Sequence, residues 1–337
     1  MSRITVLGSG AWGTAIALSL AAKQEHEVTL WSHRTEVADA LSRDRENLKF
    51  LPGFRFPDSL RVTGDDALAL DNAEIVVCVV PSEFLRATMA RLVPRLHSGQ
   101  VLVSGTKGIE DHSFLRMTEV IEDCLVSVGP ALPVGALSGP SFAQEVAAGM
   151  PTAVTIAFED VDVATRIQQE FSSSALRLYT NADVIGVELG GALKNVIAIA
   201  AGVLAGLGLG SNSAAGLITR GIAEITRLAV AAGGQRETLS GLSGVGDLVL
   251  TCTGALSRNR TVGVELGRGR KLSEILAGLD GKVAEGVRTT RAALGLANKL
   301  GVEMPITEQI GLILDEGKSP KDAVRDLMQR PGRHEED

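Results

Sequence analysis

A handful of residues in this chain have types and spacings that can do chemistry. Gly8-Ser9-Gly10-Ala11-Trp12-Gly13 is a complete G-x-G-x-x-G placed between an apolar run and a helix-forming stretch. In that setting Gly8 makes a tight turn, Gly10 lets backbone approach a pyrophosphate, and Gly13 allows helix and strand to pack closely. The free N–H groups of the following helix then face the phosphates. Downstream, Trp31-Ser32-His33-Arg34 occupies the place where an NAD site carries an acidic residue for the ribose 2′-hydroxyl, and no carboxylate appears before Glu36. Arg34, with His33 and Ser32, suits a 2′-phosphate instead, so NADP is the favoured cofactor and NAD the alternative. The competing account makes Arg34 a solvated loop cation.

A second group is suited to proton transfer and phosphate recognition. Lys194 stands in an apolar, small-residue helix, Gly190-Gly191-Ala192-Leu193-Lys194-Asn195-Val196-Ile197. A desolvated ammonium there is costly unless partnered, and its lowered pKa suits it to act as acid or base. The alternative is a snorkelling surface lysine. Asp247, in the Gly-rich turn Gly244-Val245-Gly246-Asp247, is the natural orienting carboxylate. Ser257-Arg258-Asn259 offers a bidentate guanidinium with flanking donors for a phosphate dianion, or simply a capped helix start. Lys107 follows an apolar run in Gly105-Thr106-Lys107-Gly108, and Gly139-Pro140-Ser141 follows another. Both sit where strands end and ligands bind in open α/β sheets, although each also reads as a plain turn.

The elements that must position these groups alternate through the first half. Strands are expected over 3–7, 27–31, 60–63, 74–80, 101–104, 134–138, 152–158 and 176–180, and helices over 12–23, 35–47, 83–96 and 113–126. Continuous Val/Ile runs between helices mark parallel strands covered on both faces. After Asp183 the pattern becomes helical, with Ala, Leu, Ile and Gly dominating. The expectation is an α/β protein with an N-terminal, Rossmann-type doubly wound sheet over 1–182. An all-helical substrate and catalytic domain over 183–330 and a flexible tail over 331–337 complete it.

Composition narrows the class further. The 337 residues carry Lys+Arg 33 against Asp+Glu 40, a net charge of −7, and only eight Phe, two Trp and one Tyr. That acidity and scarcity of aromatics disfavour a nucleic-acid partner. Cys78, Cys124 and Cys252 form no C-x-x-C pair, so neither a disulfide framework nor a zinc site is expected, and no metal is called for. Cys252 has no nearby His to make it a nucleophile. No signal-peptide pattern precedes Ile4, and the apolar stretch 184–210 is broken by Glu188, Lys194 and Asn195, so it suits a buried helix and no membrane span is expected. A cytoplasmic protein is the expectation, with small-residue helical surfaces that suit a homodimer.

Several segments together resemble the bacterial-type NAD(P)-dependent glycerol-3-phosphate dehydrogenases. They are Val80-Pro81-Ser82, Gly105-Thr106-Lys107-Gly108-Ile109-Glu110, Leu137-Ser138-Gly139-Pro140-Ser141-Phe142-Ala143, the stretch from Gly186 to Val196, Gly244-Val245-Gly246-Asp247-Leu248, Thr251-Cys252-Thr253, Ser257-Arg258-Asn259-Arg260, the stretch from Val283 to Arg288, and Met304-Pro305-Ile306-Thr307-Glu308. They span almost the whole chain in the family's order. The resemblance implies reduction of dihydroxyacetone phosphate to sn-glycerol 3-phosphate by NAD(P)H, which supplies phospholipid backbones. It implies Lys194 as the proton-transfer residue, with Asp247 and Lys107 beside it. Lys107, Gly139, Ser141, Lys194, Asp247, Ser257, Arg258 and Asn259 would surround the substrate. Trp12, His33, Arg34, Lys107, Ala143, Arg258, Val283 and Glu285 would touch the cofactor. At position 11, where that family often has Ser, this chain has Ala11, whose backbone N–H still serves the phosphates. Two rivals stand beside this: a β-hydroxyacid dehydrogenase of similar two-domain build, and a dinucleotide sensor without catalysis.

Overall fold

The computed structural model describes residues 1–278, 284–332, 334 and 335. Two compact units emerge: residues 1–106 with 117–184, and residues 107–116 with 185–337. Val283 and the tail residues 333, 336 and 337 lie outside the described residues.

In the first unit the strands are β1 (Ser2–Leu7), β2 (His26–Trp31), β3 (Glu46–Asn47), β4 (Leu51–Arg55), β5 (Leu60–Thr63), β6 (Ile75–Cys78), β7 (Val101–Ser104), β8 (Val134–Ser138), β9 (Thr152–Ala157) and β10 (Leu176–Asn181). Eight of them form one sheet in the order β10-β9-β8-β7-β6-β1-β2-β5, while β3 and β4 pair separately. The order reverses direction between β1 and β6, the switch point where open α/β sheets bind ligands. Every residue of β6 and β7 is buried, as the unbroken runs Ile-Val-Val-Cys and Val-Leu-Val-Ser require of central strands. All eight expected strand runs are present.

Three local departures from the sequence expectation have physical causes. Strand β9 runs antiparallel to β8, because the connection 139–151 carries only the short helix Ala143–Ala147 and turns back on itself. The helix expected over 35–47 ends at Asp44, where Arg45 takes a left-handed conformation (φ 51°) and the β3/β4 pair begins. The helix expected from 113 starts at Met117, since Phe114 has a positive φ of 60° that no helix accommodates.

In the second unit the regular elements of the described residues are helices, joined by short turns, with a bridged segment over Lys107–Arg116. At its centre runs the helix Val184–Gly206, the one single helix among the described residues long and apolar enough to cross a membrane, with 94% of its most apolar window buried. Leu189, Leu193, Val196 and Ile197 pack there against Ile225, Leu228, Leu248 and Val262. Glu224, 0% exposed, is spent on structure. Its carboxylate accepts from Ile306 N at 2.8 Å and from Thr307 N and Oγ1 at 2.9 and 2.6 Å, capping the helix Pro305–Asp315 from across the unit. Burial pushes this carboxyl above its usual range, against those hydrogen bonds.

Candidate active site

In the first unit, the glycine loop is built as its spacing demands. Gly8 has φ +116°, and a Cβ there would lie 2.8 Å from Val79 O. A Cβ on Gly13 would lie 1.9 Å from Gly8 O, so strand and helix meet only through glycine. Around Gly10 a Cβ would meet nothing within 4 Å, leaving open space beside the start of the helix Ala11–Ala22. No side chain among the described residues caps this helix, so its first N–H groups stay available to phosphates. Nearby, Trp12 Nε1 is buried and finds no hydrogen-bond partner among the described residues. Open backbone donors, a cleared approach at Gly10 and an orphaned indole N–H fit a dinucleotide. The loop is pinned by a residue that sequence reasoning missed. Asn47, 2% exposed, donates to Ser9 O at 2.9 Å and Thr14 Oγ1 at 2.8 Å.

At the end of β2, His33 and Arg34 are exposed, and Ser32 is buried with its Oγ accepting from Ser9 Oγ at 3.0 Å. A carboxylate is present there after all, supplied by Asp66. It is already occupied: Trp31 Nε1 donates to it at 3.0 Å and Arg91 grips it through Nε and Nη2, each at 2.7 Å. Arg91 also lies 5.6 Å above the Trp31 ring and donates to His33 Nδ1 at 3.3 Å. His33, Arg34 and Arg91 are thus exposed bases at this corner, with Glu36 exposed in the first turn of the next helix. Gly139, Ser141 and Ala143 follow β8 in the same unit, with Ser141 Oγ donating to Gly139 O at 2.9 Å.

A buried charge cluster lies in the second unit. Lys194 projects from the central helix with its side chain 10% exposed and donates to Asp247 Oδ1. Asp247, fully buried, begins the helix Asp247–Thr253 directly after a π-turn over Leu242–Gly246. Such turns recur at functional sites, because they re-aim the residue that follows. Gly190 makes this possible, since a Cβ there would lie 2.5 Å from Ser243 O. Lys107 approaches the other carboxylate oxygen, Oδ2, at 3.3 Å. Thr251, one helical turn on, donates to Asp247 O at 2.6 Å and lies 3.3 Å from Oδ1, a role the sequence reading did not give it although it marked the segment Thr251-Cys252-Thr253.

Electrostatics follow from two ammonium groups sharing one carboxylate in a desolvated place. Burial, opposed by Asp247 and Glu285 and aided by Lys107, pulls Lys194 down to about 8. Near neutrality such a group can both give and take a proton. Glu285 is half-buried, and burial pushes its carboxyl up while Arg258, Lys107 and Lys194 pull the other way. Cys252 is no rival nucleophile, because burial drives its thiol up to about 12.

Arg258 is exposed at the first turn of the helix Arg258–Gly267, and Ser257 caps that helix by accepting from Arg260 N at 3.2 Å. The capping and phosphate accounts are compatible, since a helix start supplies donors alongside the guanidinium. Asn259 faces inward: its Nδ2 donates to Asn195 Oδ1 at 3.0 Å and its Oδ1 accepts from Gly286 N at 2.9 Å. It thereby ties together the helices that carry Lys194, Arg258 and Glu285.

Comparison with known proteins bears on both units. Residues 3–164 match the family model for the N-terminus of NAD-dependent glycerol-3-phosphate dehydrogenase, and residues 183–325 match the model for its C-terminus. A glycerol-3-phosphate dehydrogenase (NAD(P)+) of Acidobacterium capsulatum is 61% identical across 99% of this chain and 100% of that protein. The corresponding protein of Koribacter versatilis is 57% identical over 99% of each. The crystal structure of glycerol-3-phosphate dehydrogenase from Coxiella burnetii superposes with a TM-score of 0.92 at 40% identity, covering 98% of this chain and 99% of that one. Full-length agreement in sequence and fold leaves one conclusion: the chain belongs to the NAD-dependent glycerol-3-phosphate dehydrogenase family.

Proposed function

We propose that this protein interconverts dihydroxyacetone phosphate and sn-glycerol 3-phosphate with a nicotinamide dinucleotide, in the direction that feeds glycerophospholipid synthesis. The observation that carries the chemistry is the buried Lys194–Asp247–Lys107 cluster, with Lys194 poised at about 8. When bound, the reduced cofactor supplies a hydride to the carbonyl carbon. Lys194 Nζ gives its proton to the oxygen that becomes negative, and takes one back in the reverse direction. Asp247 aims that ammonium and keeps enough of it protonated, while Lys107 adds positive charge where oxygen gains negative charge. The Arg258 guanidinium takes the phosphate, with the N–H groups of its helix start beside it. Ser257 and Asn259 hold that helix start in place. The family resemblance assigns Gly139 and Ser141, of the first unit, to the substrate as well.

For the cofactor, Gly8, Gly10, Ala11, Trp12 and Gly13 would cradle the pyrophosphate, with Ala143 and Glu285 contributing further contacts. His33 and Arg34, with Asp66 already neutralised by Arg91, favour NADP over NAD. Steady-state rates with dihydroxyacetone phosphate, unphosphorylated dihydroxyacetone and a short β-hydroxyacid panel, each with NADPH and NADH, test the proposal. It requires a large preference for the phosphorylated ketone. Turnover of a hydroxyacid alone would make the protein a β-hydroxyacid dehydrogenase, and cofactor binding without turnover would make it a sensor.

A further inference from the structure

Residues Lys107–Arg116 belong to the second unit although the chain on either side of them belongs to the first. The segment is stitched to itself. Ile109 and Arg116 form an antiparallel bridge, Glu110 N donates to Leu115 O at 2.9 Å, and Phe114 N donates to Glu110 O at 3.1 Å. Ser113 Oγ adds a bond to Glu110 Oε2 at 2.6 Å. The resulting hairpin is fastened to the second unit at three further points. Ile109, 4% exposed, joins the helical core. Arg116 pairs at 2.5 Å with Glu188, on the helix that carries Lys194, with side chains only 14% and 5% exposed.

Phe114 is the third point and the unusual one. Its φ of 60° lies where bulky residues are genuine outliers. Its ring fills the place where Gly295 has no side chain: a Cβ on Gly295 would lie 2.2 Å from the ring. Backbone strain of this kind persists only where surroundings over-determine it, and it gathers at functional sites. At the open end of this hairpin stands Lys107, 3.3 Å from Asp247.

We propose that Phe114, seated in the notch at Gly295, is a positioning residue that holds the hairpin so that Lys107 meets Asp247. The proposal rests on the role given to Lys107 above. Two variants attack the same contact from opposite sides. Phe114→Gly removes the ring and relaxes the positive φ, whereas Gly295→Ala keeps the ring and fills the notch. Each should lower kcat/KM for dihydroxyacetone phosphate at least tenfold. Added to Lys107→Met, either should cost less than twofold more, since the interaction it protects is already gone.

A second measurement does not depend on catalysis. In the full-length enzyme, acylation of Lys107 by an amine-specific reagent, followed by peptide mass spectrometry, should quicken severalfold in both variants as the ammonium leaves Asp247. Unchanged labelling overturns the positioning role whatever the kinetics show. Losses that multiply in the double variants also overturn it, because Phe114 would then act on something other than Lys107. Faster labelling with a silent Lys107→Met upholds the hairpin and removes Lys107 from the reaction instead. Should Gly295→Ala fail to fold, Phe114→Gly carries both readouts.

Discussion

Replacing Asp247 by Asn removes one negative charge from between two ammonium groups while keeping shape and one of the two acceptor oxygens. Lys194 titrates at about 8, so at pH 7 about ten molecules carry the proton for each that does not. The carboxylate works against burial to hold that proton. Two unit charges about 4 Å apart attract by about 4 kcal/mol at an effective dielectric of about 20, and each 1.4 kcal/mol is a tenfold change in protonation. Even if the Asn carbonyl and movement of Lys107 recover a third of this, the titration of Lys194 should fall to near pH 6. The assay is the pH dependence of kcat/KM for dihydroxyacetone phosphate, which reports groups before the substrate binds. Reduction needs the ammonium, so wild-type activity should decline as pH rises through about 8. In Asp247→Asn that decline should begin about two pH units lower. Lys107→Met should move it the other way, to higher pH, because a repelling cation is lost. A limb that stays at about 8 in Asp247→Asn, or moves up, would refute the cluster as the source of the proton.

Four further outcomes are expected. Lys194→Met should fold and bind NADPH, yet turn over about 10²–10⁴ more slowly, the usual contribution of a positioned acid, in a spectrophotometric assay. Arg258→Ala should lose about 1.5–3 kcal/mol in kcat/KM with dihydroxyacetone phosphate and almost nothing with unphosphorylated dihydroxyacetone; equal losses would make Arg258 structural or a contact of the cofactor only. Arg34→Asp should weaken NADPH more than NADH in direct titration, and an equal effect on both would remove Arg34 from cofactor choice. Glu224→Ala strands two buried backbone donors at about 1–3 kcal/mol each, so the urea midpoint should drop sharply at constant m-value.

Much of this was legible in the residues because it repeats or is chemically conspicuous. Strand runs such as Ile75–Cys78 and Val101–Ser104 announce buried parallel strands. The glycine loop states its own geometry, and Lys194 stands out as a cation among Gly, Ala and Leu. What escaped rests on individual side-chain contacts that leave no periodic mark in the sequence. Asn47 pins the glycine loop from a two-residue strand, and Thr251 braces Asp247 from an unremarkable helical turn. Nor does any periodicity reveal that Asn259 spends its amide on Asn195 and Gly286. The stretch 113–116 reads as helix by composition, whereas its backbone is bonded into the hairpin with Ile109 and Glu110 and its Phe114 ring packs at Gly295.

The hairpin also has a consequence for how the protein is made. Lys107 and Asp247 are 140 positions apart, and at about 5–20 residues per second the ribosome needs roughly 7–30 s to travel between them. Within that interval the helix Val184–Gly206 is made only partway through, and Gly295 follows Asp247, so Phe114 waits longer still for its final neighbour. A polypeptide that started at Ile185 would face the mirror-image difficulty, holding an empty groove at Gly295 and a Glu188 that has lost its ion pair with Arg116. Anyone cutting this molecule into halves should therefore supply the decapeptide with the C-terminal piece, as a graft or a fusion. The cut that looks natural on paper severs the second half from part of its own interior.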